Sequence, residues 1–170
     1  GFLKRGGGEA IICDINREML AAGMDRALDR GIARGPARIC GDAAALPVAR
    51  ASVEACTIAF GLRNVTRRTD ALAEMHRVLK PGGHFICLEF SPAVLPQLKA
   101  IYDTYSFRVL PWLGQRVAGD AESYAYLAES IRKFPVPEQL ASEMTDAGFG
   151  NVTQTPMSGG IVWLHSGWRI

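Results

Sequence analysis

The chain has 170 residues, of which 48% are apolar and 21% charged, with a formal net charge of +2. That is enough chain for one domain with a real core, and the balance is that of an ordinary soluble globular protein. The small charge and the lack of a basic run argue against a nucleic-acid partner. No apolar stretch reaches the ~20 residues of a membrane span, and the first residues do not resemble a signal peptide.

Ala10 to Cys13 is a short apolar run that predicts a strand buried on both faces of a parallel sheet, with Asp14 at its carboxyl end. Met19, Leu20, Met24, Ala27 and Leu28 then fall at helical spacing, with Asn16 as N-cap and Gly31 as the stop. Arg38 to Cys40 predicts a second short strand, followed by "GDAAALP". Val53 to Phe60, "VEACTIAF", is a stronger strand pattern. Thr69 to Leu79 reads as a helix with Leu72, Met75, His76 and Leu79 on one face. "KPGG" is expected to end it, since proline cannot continue a helix. Phe85 to Phe90 is the next strand.

The alternation predicts right-handed βαβ units and a parallel sheet. From Ser91 to Gly119 the pattern changes to a helical insertion broken by prolines and rich in aromatic residues, among them Tyr102, Tyr105, Phe107 and Trp112. Two further helices follow at Glu122 to Lys133 and Pro137 to Ala147, with Gly148 as the stop of the second. Val152 to Thr155 and Ile161 to His165 flank "MSGG", which suits an antiparallel hairpin. No repeat, linker or low-complexity stretch divides the chain, so residues 1–170 read as a single domain. The four cysteines, Cys13, Cys40, Cys56 and Cys87, form no CxxC pair. Each is expected as a small buried strand residue with a free thiol, as suits a reducing cytosol.

Ligands of a doubly wound sheet bind beyond the carboxyl ends of its strands. Those ends gather Asp14 and Asn16, then Gly41, Asp42 and Ala43, then Ala59, Phe60, Gly61, Arg63 and Asn64, and finally Glu89 and Ser91. Asp14 suits either a bidentate grip on two ribose hydroxyls or the capping of the next helix. Asp42 suits either the amino group of an adenine, with the Ala43 N–H donating to a ring nitrogen, or a plain turn. Arg63 is a ligand-facing or a surface charge. His76 and His84 lie away from these ends, and His165 has no evident place. No Ser–His–Asp order, carboxylate pair or metal cluster is present in the pattern.

"GDAAALP", "TIAFGLRNVTRRTDALAEMHRVLKPGGHFICLEFS", "YDTYSFRVLPWLGQRVAGDAESYAYLAESIRKFP" and "GGIVWLHSGWRI" together resemble the ubiquinone/menaquinone-biosynthesis C-methyltransferases, the UbiE family. The resemblance runs over essentially the whole chain. It implies a Rossmann-like class I methyltransferase sheet, α/β and mostly parallel with an antiparallel C-terminal hairpin. It implies S-adenosylmethionine (SAM) as cofactor, with Asp14 on the ribose, Asp42 and Ala43 on the adenine, and Ala59 beside it. The implied reaction is methylation of a ring carbon of a polyprenylated benzoquinol or naphthoquinol. Arg63 and Asn64 are then the candidates to bind the phenol or phenolate, and Tyr102 and Tyr105 to line the quinol pocket. The greasy substrate implies a cytoplasmic protein with peripheral membrane contact at the inner face, or contact with a quinone-biosynthesis complex.

One family feature is not found. Members begin with a strand and a glycine-rich DxxxGTGD loop that cradles the methionine part of SAM, whereas "GGG" at Gly6 to Gly8 directly precedes the strand of Asp14. The first strand of the fold is therefore expected to be missing, leaving an N-terminally truncated domain with weak SAM affinity. Either the neighbouring strands close up or the natural protein is longer. The competing readings are an inactive fragment serving at most as an interaction module, and half of an NAD-type dehydrogenase.

Overall fold

The alternating pattern folds as alternating strands and helices in a computed structural model that describes residues 8–29, 36–92 and 121–170. Strand β1 (Ile11–Asp14), helix α1 (Arg17–Asp29) and strand β2 (Ala37–Cys40) come first. Strand β3 (Val53–Ala59), helix α2 (Arg68–Val78) and strand β4 (Leu79–Phe90) form the next unit. Helices α3 (Ala121–Lys133) and α4 (Pro137–Asp146) then precede strands β5 (Gly150–Met157) and β6 (Val162–Trp168).

β1 pairs with β2 in parallel, and β3 with β4 in parallel. β6 runs antiparallel between β4 and β5, giving the expected hairpin. The strands form two separate groups, β1-β2 and β3-β4-β6-β5. β1 and β3 therefore do not close up on each other, and among the described residues no strand lies between them. This changes the environment of β1. Ile11 and Ile12 are 47% and 45% exposed, where a doubly buried strand was expected. A strand with one paired edge lacks the flanking side chains that bury a central one.

The helix after β1 is capped as its sequence suggests. The Asn16 Oδ1 accepts from the Glu18 and Met19 N–H groups at 2.8 and 3.1 Å. Of its apolar positions Leu20 is buried, while Met19 and Met24 are exposed. α2 behaves differently. Ala71, Leu72, Met75 and Val78 are all buried, and its face packs with Phe85 and Cys87 of β4 and with Leu140, Met144 and Phe149. A bidentate Arg68–Glu143 bond, at 2.6 and 2.8 Å, fixes α2 to α4. α4 ends in a Schellman motif: Gly148 has φ +100°, its N–H donates to the Thr145 carbonyl, and the Phe149 N–H donates to that of Met144.

"KPGG" does more than stop α2. β4 begins at once with Leu79, pairing with Val53, and the register then jumps so that Ala55 faces His84. Lys80 to Gly83 is an irregularity inside one long strand. Gly82 has φ +77°, and a Cβ on Gly83 would sit 2.7 Å from the Lys80 carbonyl oxygen. The cysteines are all free, but of the four expected to be buried only Cys87 is; Cys13 and Cys56 are partly exposed and Cys40 is exposed.

Two histidines are placed by packing. His165, 2% exposed on β6, donates from Nε2 to the Pro137 carbonyl at 3.1 Å, while its Nδ1 is buried without a partner. Burial pulls its imidazole below the usual histidine range, and burial does the same to His76, aided by Arg169. Each therefore binds a proton more readily when the chain is unfolded, so folding stability falls as pH drops below the unfolded value of 6.5. The melting temperature should fall from pH 7 to pH 5.5, and a His165→Asn variant should show a shallower fall over that window. An equal slope in both proteins contradicts this assignment.

Candidate active site

The carboxyl ends of β1 and β2 form one arm of the site. The Asp14 Oδ1 accepts the Asn16 N–H at 2.8 Å. Asn16, not Asp14, caps α1, so Asp14 keeps its Oδ2 for a further donor. The Gly41 N–H donates to the Asp14 carbonyl at 3.0 Å and joins the two strand ends. A Cβ on Gly41 would fall 2.6 Å from the Pro47 ring and 3.3 Å from the Cys13 Sγ, so the chain passes here only as glycine. The Asp42 Oδ1 caps the 3₁₀ turn of Ala43–Ala45 by accepting the Ala44 N–H at 2.8 Å. Its Oδ2 lies 3.7 Å from Arg67.

This arm is clamped to α2. The Leu46 N–H donates to Glu74 at 2.7 Å, and Arg77 donates to Glu74 at 2.6 and 2.8 Å and to the Leu46 carbonyl at 3.0 Å. The Arg77 hydrogen bond holds the Glu74 carboxyl below the usual carboxylate range.

The second arm follows β3. Ala59 ends the strand, and Phe60 adopts φ +55°, a left-handed conformation that costs a bulky L-residue about 1–2 kcal/mol. Leu62, fully buried, anchors the 3₁₀ turn Leu62–Asn64 in the core. Arg63 is held from two sides. Its Nη1 donates to the Phe60 carbonyl at 2.6 Å and to the Glu89 Oε1 at 2.7 Å. Its backbone N–H donates to the Glu89 Oε2 at 3.3 Å, and its guanidinium lies over the Phe90 ring, 5.6 Å from the centroid. The Arg63 Nε is buried without a partner. The Tyr126 hydroxyl, from α3, donates to the Asn64 Oδ1 at 3.3 Å.

The expected residues thus fall on two arms, Asp14, Asp42 and Ala43 on one and Ala59, Arg63 and Asn64 on the other. The Arg67–Asp42 pair brings the end of the second arm to the first. Tyr102 and Tyr105 lie outside the described residues. Sequence reasoning placed Glu89 at a strand end without a role and passed over Tyr126. A signal for Glu89 was available. It occupies the same alternating face of β4 as Phe85 and Cys87, and an acid in line with core residues needs a buried partner. No group of residues suited to a metal ion exists among the described residues.

Removing one partner of a buried ion pair strands the other. Glu89→Ala should therefore lose about 3–5 kcal/mol of stability in urea denaturation. The double variant Arg63→Met/Glu89→Leu should recover most of that loss, and a double variant no better than the single one contradicts the pairing.

A sequence model of the ubiE/COQ5 methyltransferase family matches residues 3–169. The chain is 54% identical over 164 residues to the ubiquinone/menaquinone biosynthesis C-methyltransferase UbiE of Nitrobacter hamburgensis, covering 96% of this chain and 65% of that protein. It is 52% identical over 165 residues to the mitochondrial 2-methoxy-6-polyprenyl-1,4-benzoquinol methylase of Mus musculus, covering 97% of this chain and 50% of that one. The chain thus spans between half and two thirds of the length of these relatives. Among solved structures, a SAM-dependent methyltransferase from Aquifex aeolicus has the same fold, with a TM-score of 0.63 at 14% identity over 96% of this chain and 70% of that one. A structure of PigF with SAH gives a TM-score of 0.62 at 16% identity, over 97% of this chain and 49% of that one. Matched by the family model almost end to end, this chain belongs to the ubiE/COQ5 methyltransferase family.

Proposed function

We propose that the strand-end edge binds SAM and transfers its methyl group to a ring carbon of a polyprenylated benzoquinol or naphthoquinol in ubiquinone or menaquinone biosynthesis. The observation that carries this reading is the division of the edge into two arms. Carboxylates stand on one and a buffered cation with an amide on the other. The family match supports methyl transfer over the dehydrogenase reading.

The residues present suit the cofactor. Asp14 has one oxygen held by the Asn16 N–H and the other open to a ribose hydroxyl. Asp42, likewise, has one oxygen committed to the Ala44 N–H. Its other oxygen and the Ala43 backbone are our candidates for the adenine, and Ala59, without bulk, for the position beside it. Bound SAM supplies an electrophilic methyl group on a sulfonium.

An aromatic carbon is a weak nucleophile unless the phenolic oxygen para or ortho to it carries negative charge. Arg63 and Asn64 are the groups we assign to that oxygen. Arg63 cannot act as a base, since a guanidinium keeps its proton. It stabilises the phenolate or orders a water that takes the proton. Glu89 neutralises part of the Arg63 charge but also fixes its direction, so the donor is in place before the substrate arrives. Tyr102 and Tyr105 remain our candidates for the quinol pocket. Among the described residues no helix is long and apolar enough to cross a membrane. A prenylated substrate supports a cytoplasmic protein working at the inner membrane face, in peripheral contact with lipid or with other quinone-biosynthesis proteins.

Calorimetric titration with SAM tests the first arm. Asp14→Ala removes a charge-assisted acceptor and should weaken SAM about 10- to 100-fold. An unchanged Kd contradicts the ribose assignment. Transfer of labelled methyl from SAM to a short-chain methoxybenzoquinol tests the second arm. Asn64→Ala should lower kcat about tenfold or more while leaving the SAM Kd intact. Loss of SAM binding instead would move Asn64 to the cofactor arm.

A further inference from the structure

Phe60 is an anomaly that the assignments above do not use. Four non-glycine described residues have positive φ: Ala51, Phe60, Asn151 and Ser158. Phe60 is the bulky one, and it is followed by Gly61, which would take a left-handed backbone at less cost. Strain of this kind persists where the surroundings over-determine it, and here they do. The Phe60 N–H donates to the Leu88 carbonyl at 2.8 Å, and the Phe60 carbonyl accepts from Arg63 at 2.6 Å. The backbone is pinned on both sides.

The result of the strain is where the ring ends up. Phe60 is 38% exposed although Leu62, two residues on, is fully buried. Its ring meets that of Phe90 at 4.6 Å between centroids with a 35° tilt. Phe90 in turn carries the Arg63 guanidinium over its face. Two aromatic rings and a cation thus stand in a row at the carboxyl ends of β3 and β4. A hydrophobic ring held partly in solvent by a strained backbone stabilises nothing in the folded chain that a buried ring would not stabilise better.

We propose that Phe60, backed by Phe90, is the face against which the acceptor ring packs, and so a residue that determines specificity for flat aromatic acceptors. The inference rests on the methyl-transfer reading above and deepens it. The chemistry recognised is a planar electron-rich ring with a phenolic oxygen. The ring faces the phenylalanine pair while the oxygen meets Arg63 and Asn64. Aromatic packing fixes the plane of the ring, and a fixed plane presents one carbon to the methyl donor.

The backbone offers an unusually clean test, because glycine at position 60 removes the ring and relieves the strain together. Phe60→Gly, Phe60→Leu and Phe60→Tyr in the full chain would be compared with the natural protein. Three quantities would be read: SAM affinity by calorimetry, affinity for a short-chain methoxybenzoquinol, kept reduced, by quenching of intrinsic fluorescence, and KM and kcat for methyl transfer to the same quinol.

Phe60→Gly should keep a cooperative melt and a SAM Kd within about twofold, yet raise the ring Kd and the acceptor KM about five- to tenfold. Phe60→Leu should lie between, and Phe60→Tyr should match the natural protein. Unchanged ring affinity in Phe60→Gly overturns the proposal while leaving the quinol reading standing. A SAM Kd weakened as much as the ring Kd also overturns it, since the ring would then belong to the cofactor. A natural protein that binds SAM but no benzoquinol ring overturns the quinol reading, and the Phe60 assignment falls with it.

Discussion

A carboxylate at the end of an apolar row sets the geometry of the arm that follows β3. Glu89 is 1% exposed and shares a face of β4 with Phe85 and Cys87. Burying a carboxylate costs several kcal/mol unless donors replace the lost water. Three N–H groups do so: the Arg63 backbone, the Arg63 guanidinium and the Phe90 backbone. Because two of these come from the loop after β3, that loop cannot move without stranding the charge. The Arg63 guanidinium also holds the Phe60 carbonyl, so the strained turn is a consequence of the same pairing. Phe60, Arg63 and Asn64 thus share one fixed origin at the end of β4.

The other arm obeys a different logic. Asp14 and Asp42 are only partly buried, and each spends one oxygen on a backbone N–H two residues onward. Such local bonds orient a carboxylate without neutralising it, which suits a group that must still accept from a ligand. Rigidity comes from elsewhere, through the Glu74–Arg77 clamp on Leu46. Anionic acceptors therefore stand on this arm. A cation and an amide stand on the other. The Arg67–Asp42 contact is where the two arms meet among the described residues.

Much of this was legible in the chain. The period-2 and period-3.6 patterns gave the strands and helices from Ile11 to Phe90, and Gly148 marked the end of α4 because its left-handed conformation favours glycine. The polar residues at the strand ends were readable as a set, since a parallel sheet exposes those ends together. What escaped the reading depended on long-range pairing. The half-exposed face of β1 follows from the absence of a paired neighbour on one edge among the described residues, and Cys40 is exposed for want of cover that no local pattern reports. "KPGG" read as a helix stop, but β3 and Arg169 recruit it into β4 as an irregular stretch. The Tyr126–Asn64 bond joins residues 62 positions apart, and the left-handed Phe60 runs against every local preference of its side chain.

The most direct test of the two-arm site is a crystal structure of the protein soaked with S-adenosylhomocysteine. The ribose hydroxyls should lie within hydrogen-bond distance of Asp14, with the adenine against Asp42 and Ala43 and the sulfur turned toward Ala59 and the Phe60 turn. A nucleoside bound away from these residues, with Asp14 still bonded only to the Asn16 N–H, would contradict the assignment of this edge as the cofactor site.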